Sequence, residues 1–215
     1  MADRADETSI LIGAKSQEER KRILADLFMG HRDRLRSMVH LRLDRRLQAR
    51  VDPSDVLQEA FLEASRRLEE YCRKPPLPVF LWLRQLAAQK LLDAHRFHLR
   101  TRRRSARREV SLERGWGPPS QTWALAERLL GRDPSPSKAA AMVEARARFE
   151  EALDRMEEVD REMVALRHFE RLTAAEAAEV LGIRKEAAKK RYLRAMLKLR
   201  EILVSMPGVQ EDLEP

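Results

Sequence analysis

The sequence predicts an all-α protein made of two small helical domains joined by a linker. Three observations lead there. Charged residues make up 36% of the chain and aromatics only 5%, with seven glycines, a balance that favours amphipathic helices over sheets. Apolar residues recur at helical spacing in both the first and the last thirds. Between them, 111–137 is interrupted by Gly115, Gly117, Pro118, Pro119, Gly131, Pro134 and Pro136. The 215 residues suffice for one ordinary domain or two small ones.

After a polar start, Ser16-Gln17-Glu18-Glu19 spells a capping box, and Ile23, Leu24, Leu27 and Phe28 set a first helix. Gly30 is expected to punctuate it, with Leu35, Met38, Val39, Leu43 and Leu47 forming a second helix that has a basic opposite face. Asp52-Pro53-Ser54-Asp55 puts an acidic cap before a proline at the first helical position, where its missing N–H costs nothing. The third helix runs to about Tyr71. Lys74-Pro75-Pro76-Leu77-Pro78 breaks it, and a fourth helix starts near Val79 on an apolar stripe of Val79, Leu83, Leu86, Ala87 and Leu91. That helix leads into an arginine run: Arg96, Arg100, Arg102, Arg103, Arg104, Arg107 and Arg108.

The 111–137 segment holds at most one short helix, Trp123 to Leu130. As coil it would reach on the order of 25–30 Å. Helix resumes with Val143, Phe149, Leu153 and Met156, then Asp160, Met163, Val164 and Arg167, ending at Glu170-Arg171. Thr173-Ala174-Ala175-Glu176 is a second capping box, Gly182 fits a left-handed turn, and a long basic helix follows from about Arg184 to Val204. Short helix, glycine turn and longer basic helix spell a helix-turn-helix. The expected boundaries are 16–110, 111–137 and 138–206.

With 43 Lys+Arg against 35 Asp+Glu the net charge is +8, which draws the protein to polyanions, nucleic acid foremost. Cys72 is the only cysteine, so no disulfide or thiolate cluster forms within the chain, as suits a reducing cytoplasm. No secretory signal or membrane-spanning apolar run is read, so a cytoplasmic protein is expected. A Gly-rich phosphate loop, a nucleophile near a histidine and metal-ligand spacing are all missing from the pattern. His31, His40, His95, His98 and His168 show no ligand spacing, and His95 and His98 are expected to be exposed or DNA-facing. The expectation is therefore no catalytic residue, no metal and no cofactor.

Four constellations carry the chemistry. Small Ala177 and Ala178 let two helices approach, Leu181 and Ile183 fill the space beneath the turn, and Arg184, Lys185, Glu186, Lys189, Lys190, Arg191 and Arg194 then present long polar side chains to a major groove. The arginine run, including Arg100 and Arg103, suits a phosphate backbone because guanidinium pairs bidentately with phosphate. Asp55, Gln58, Glu59 and Glu63 give one helical face acidic groups inside a basic protein, which suits docking to a basic protein partner or plain solvation. Phe80 and Trp82 follow a proline-rich loop, where they could stack on unpaired bases or pack in the core; the sequence leaves both open.

Asp52 to Phe61, Phe80-Leu-Trp82-Leu-Arg84 and Leu91-Leu-Asp93-Ala-His95-Arg96 resemble region two of the extracytoplasmic-function sigma factors, and Thr173 to Arg200 resembles their region four. The order and the missing middle domain fit that family. The resemblance implies that Asp55, Gln58 and Glu59 meet the clamp helices of core RNA polymerase. It implies that Phe80, Trp82, Lys90 and Arg96 open and read the −10 element of promoter DNA. It further implies that Arg184, Lys185, Lys189, Lys190 and Arg191 read the −35 element. An anti-sigma factor is a further partner the family admits. Arg184 stands where the family commonly has a serine cap and Ala188 where it has a larger aliphatic residue, leaving the start of the recognition helix open by a residue or two. The alternative is a stand-alone helix-turn-helix regulator, which leaves the Asp55 face without a role.

Overall fold

A computed structural model describes residues 4–43, 47, 50–100 and 139–206, with the side chains of 4–6, 98–100 and 139–146 left aside. The chain divides into two compact units, Met1–Gly115 and Trp116–Pro215. Among the described residues every regular element is helical. The all-α expectation holds.

The first unit contains α1 (Arg4–Gly13), α2 (Gln17–Arg42), α3 (Pro53–Arg73) and α4 (Val79–Arg100). Ser16 opens α2 by accepting the Glu19 N–H at 3.1 Å, while the Glu19 carboxylate accepts the Lys15 N–H at 2.8 Å. Contrary to the expected break at Gly30, α2 continues through it for 26 residues. The reason lies in the stripe of Leu24, Phe28, His31, Leu35 and Met38, which is buried on both sides of the glycine. A mid-helix glycine costs about 1 kcal/mol, whereas each buried apolar side chain contributes roughly 1.5–3 kcal/mol. Burial wins.

Asp52 caps α3, its carboxylate accepting the Ser54 N–H at 2.7 Å. Hydrogen bonding from Ser54, backbone first, holds the Asp52 carboxyl below the usual aspartate range. α3 runs antiparallel to α2: Gln17 donates to Glu69 at 2.8 Å near one end, and the Phe28 and Phe61 rings meet at 5.0 Å further along. The polar start forms a helix, α1, ahead of the helices read from the sequence. From α1, Leu11 is fully buried, and Glu7 reaches His31 at 2.8 Å.

α4 opens with five consecutive buried residues, Val79 to Leu83. Its first N–H, from Val79, is accepted by Thr8 Oγ1 of α1 at 3.0 Å. The proline loop is pinned from α3, where the Tyr71 hydroxyl donates to the Leu77 carbonyl at 2.8 Å and the ring stacks on Trp82 at 4.1 Å. Burial pushes the Tyr71 phenol up to about 12.

The second unit contains α5 (Ala139–Arg155), α6 (Glu158–Val164), a π-helical turn (Ala165–Phe169), α7 (Ala174–Leu181) and α8 (Lys185–Ser205). Phe149, Leu153, Val164, Leu166, Ala177, Ala195 and Leu199 make its core. The break expected at Glu170-Arg171 is present: Arg171 takes a left-handed φ of 55°. Glu170, however, is buried there rather than solvated.

Gly30 is exposed, and a Cβ added there would meet nothing within 4 Å. Gly30→Ala should therefore stabilise the first unit by about 0.5–1 kcal/mol, read as a higher denaturant midpoint. The Tyr71 shift has a definite sign: folded protein keeps the phenol neutral, so this contribution is intact below pH 10.0 and is lost as pH rises toward 12. Titration by tyrosine absorbance should show a late step near pH 12 that is missing from Tyr71→Phe.

Candidate functional site

In the second unit the helix-turn-helix is fixed by local chemistry. Thr173 Oγ1 accepts the Glu176 N–H at 3.2 Å, and Glu176 returns the contact by accepting the Thr173 N–H at 2.6 Å. At the far end of α7, Gly182 adopts φ 62°, the Ile183 N–H reaches the Ala178 carbonyl at 2.9 Å, and the Gly182 N–H reaches Glu179 at 3.3 Å. This double closure ends α7 and turns the chain into α8. Ala177 and Ala178 are buried, while Leu181 and Ile183 are half-buried under the turn. Arg167 ties the parts together, donating to the Leu172 carbonyl and lying 5.2 Å from the centre of the Tyr192 ring.

The first helical residue of α8 is Lys185, with Arg184 as its N-cap and no side-chain capping bond. Arg184, Lys185, Lys189 and Lys190 are exposed, and Arg191 is half-buried. Ala188, Ala195, Leu199 and Leu203 hold the helix down from its other side. Ala188 is fully buried, so a small residue is what this close packing accommodates. Asp160, buried in the first turn of α6, anchors α8 through Lys198 at 2.9 Å and lies 3.9 Å from Arg194. A hydrogen bond to Asp160 is the main reason the Lys198 ammonium titrates above its ordinary range. Arg194, expected to face a groove with the other basic residues, thus leans toward α6. Lys189 is held by Glu186 at 2.8 Å.

In the first unit, Asp55, Gln58 and Glu59 all lie exposed along α3. The face continues into Leu62, which is 54% exposed although apolar, a residue the sequence reading passed over. Its signal was available: Leu62 follows Glu59 by three residues and Asp55 by seven, the spacing of one helical face. Glu63 departs from the expected acidic face. It is half-buried and pairs with Arg67 at 2.6 Å and with Lys90 of α4 at 3.6 Å. Burial works to raise the Glu63 carboxyl, but the Arg67 and Lys90 cations together bring it below the usual range. Lys90 is accordingly committed to α3 in this conformation.

Phe80 and Trp82 are buried: the Arg34 guanidinium lies 3.6 Å from the Phe80 ring centre, His31 packs on the same ring, and Trp82 lies against Tyr71. Of the two placements left open for these rings, they take the core-packing one. His95 is buried, contrary to expectation, because it follows Leu91 by one turn on the core-facing stripe. Arg96 is exposed and lies 3.5 Å from Asp93. Arg103, the arginines beyond it, the 111–137 segment and the side chains of His98 and Arg100 lie outside the described residues. Among the described residues no cluster suited to a metal ion occurs.

Because Gly182 sits at φ 62°, any side chain there is strained even though space is open. Gly182→Ala should destabilise the second unit by about 1–2 kcal/mol, the opposite sign to Gly30→Ala, when both are compared by denaturant unfolding.

Residues 146–199 match the family described as Sigma-70, region 4, a stretch that runs from α5 through both helices of the helix-turn-helix. The chain is also 28% identical over 153 residues to the RNA polymerase sigma factor CnrH of Cupriavidus metallidurans, covering 71% of this chain and 74% of that protein. The likeness to that RNA polymerase sigma factor therefore reaches well beyond the helix-turn-helix, and the region 4 match agrees with it.

Proposed function

We propose that the chain binds core RNA polymerase through the Asp55, Gln58 and Glu59 face of α3 and directs it to promoters whose −35 element is read by α8. The observation that supports this most is the coexistence, on one chain, of an exposed acidic helix face and a region 4 helix-turn-helix with an exposed basic end. In a protein of charge +8, an acidic face is repelled by phosphate and is free to meet a basic protein surface. Leu62 gives that face an apolar centre, the kind of residue that contributes to affinity once charges around it exclude water.

On α4, Arg96 is placed to meet promoter phosphate near the −10 element, with Arg100 and Arg103 following along the chain. Lys90 would join them by exchanging Glu63 for phosphate. Phe80 and Trp82 serve this surface from beneath, as the packing that fixes α4. The 111–137 segment would span the two DNA elements. Acting by recruitment, the chain needs no catalytic group of its own and works in the cytoplasm; an anti-sigma factor would inhibit it by covering either face. A stand-alone regulator would bind operators without polymerase, leaving the Asp55 face idle.

The test is co-migration of the purified chain with bacterial core RNA polymerase on gel filtration. The unaltered protein is expected to co-migrate, and Asp55→Arg, Glu59→Arg to elute alone while retaining its helical circular dichroism. Failure of the unaltered protein to co-migrate overturns the proposal.

A further inference from the structure

The recognition helix carries one acidic side chain in its first turn, where a surface built only to hold phosphate would carry none. Glu186 is the second residue of α8, its side chain is 72% exposed, and its carboxylate lies 2.8 Å from the Lys189 ammonium, which is 53% exposed. Arg184, Lys185 and Lys190 flank the pair along the chain and are exposed with it. Lys189 above all, with Lys185 and Lys190 adding charge, holds the Glu186 carboxyl below the ordinary range, so it enters any DNA complex ionised. An exposed ion pair of this spacing contributes little to helix stability.

The first turn of a recognition helix is where base edges are met. A carboxylate there is tolerated only opposite a donor, and the major-groove donors are the cytosine N4 and adenine N6 amino groups. Adenine N6 is flanked by acceptors on both sides, its own N7 and the thymine O4, which repel a carboxylate. Cytosine N4 has an acceptor on one side only, the guanine O6, and that is where an adjacent ammonium would lie, within reach of guanine N7 as well. An acceptor and a cationic donor held side by side thus match a G·C pair in one orientation.

Resting on the reading of α8 as a DNA-contacting helix, we propose that Glu186 and Lys189 act as one unit that reads a single G·C pair of the −35 element, Glu186 on the cytosine and Lys189 on the guanine. Glu186 also works against wrong sequences. Opposite thymine or guanine its charge is buried against acceptors, so it sharpens selection where the neighbouring lysines only add affinity.

The experiment is transcription by the full chain with core polymerase from a promoter library randomised across the −35 element. The unaltered protein is expected to prefer G·C in one orientation at one position by about tenfold. Glu186→Ala should bring that preference to within about twofold while the other positions keep theirs, and Lys189→Gln should weaken the same position. Retention of every positional preference by Glu186→Ala, or an equal change on all promoters, overturns the inference while leaving the sigma-factor reading intact. Absence of promoter-dependent transcription by the unaltered protein overturns that reading and this inference with it.

Discussion

A helix that begins with five consecutive buried residues cannot be covered by a single neighbour, and this constraint organises the first unit. Val79 to Leu83 cover more than a full turn, so α4 enters the core with apolar surface on every side. α2 supplies one wall, with His31 and Arg34 against Phe80; α3 supplies another, with Tyr71 against Trp82; α1 closes the remainder. Burying a helix start also strands its N–H groups, each costing about 1–3 kcal/mol if left without an acceptor. Thr8 answers that need at Val79 from outside the local sequence. The acidic face of α3 and the exposed end of α4 keep their places because the junction behind them is dense.

The second unit solves the same problem by other means. Its helix ends are satisfied locally, by the Thr173–Glu176 box and the Gly182 turn, and its recognition helix is tied down by a buried carboxylate. Asp160 is stabilised by position as well as by partners: it lies in the first turn of α6, where the helix dipole favours negative charge. Lys198 meets it from α8 while remaining partly in solvent. This anchors the middle of α8, leaving its N-terminal end to present Arg184, Lys185, Glu186 and Lys189.

How far these features were legible in the sequence depended on whether their causes were local. Ser16, Asp52, Thr173 and Gly182 act within four residues of themselves, and their signals read through to the structure. Asp55, Gln58 and Glu59 share a face by spacing alone. What depended on distant partners was not legible. The continuity of α2 through Gly30 follows from packing on both sides, the placement of His95 from the core that α4 meets, and the loss of Glu63 from the acidic face from Lys90. Phe80 and Trp82 could not be assigned from the sequence because an aromatic after a proline loop serves a core or a base equally well. α1 was missed because Asp, Glu and Thr dilute its short apolar pattern, and its contacts lie far along the chain.

That first helix bears on how the protein can be divided. A fragment chosen by its clearest sequence signals would start at Ser16, yet it would lose Leu11 from the core, the carboxylate facing His31 and the hydroxyl that receives the Val79 N–H. The damage would appear at α4, more than sixty residues from the cut. An excised first domain must therefore carry its opening helix to keep the exposed faces of α3 and α4 as they stand in the whole chain, and a fusion partner joined directly at Glu7 or Thr8 would displace the strap that holds the start of α4 in place.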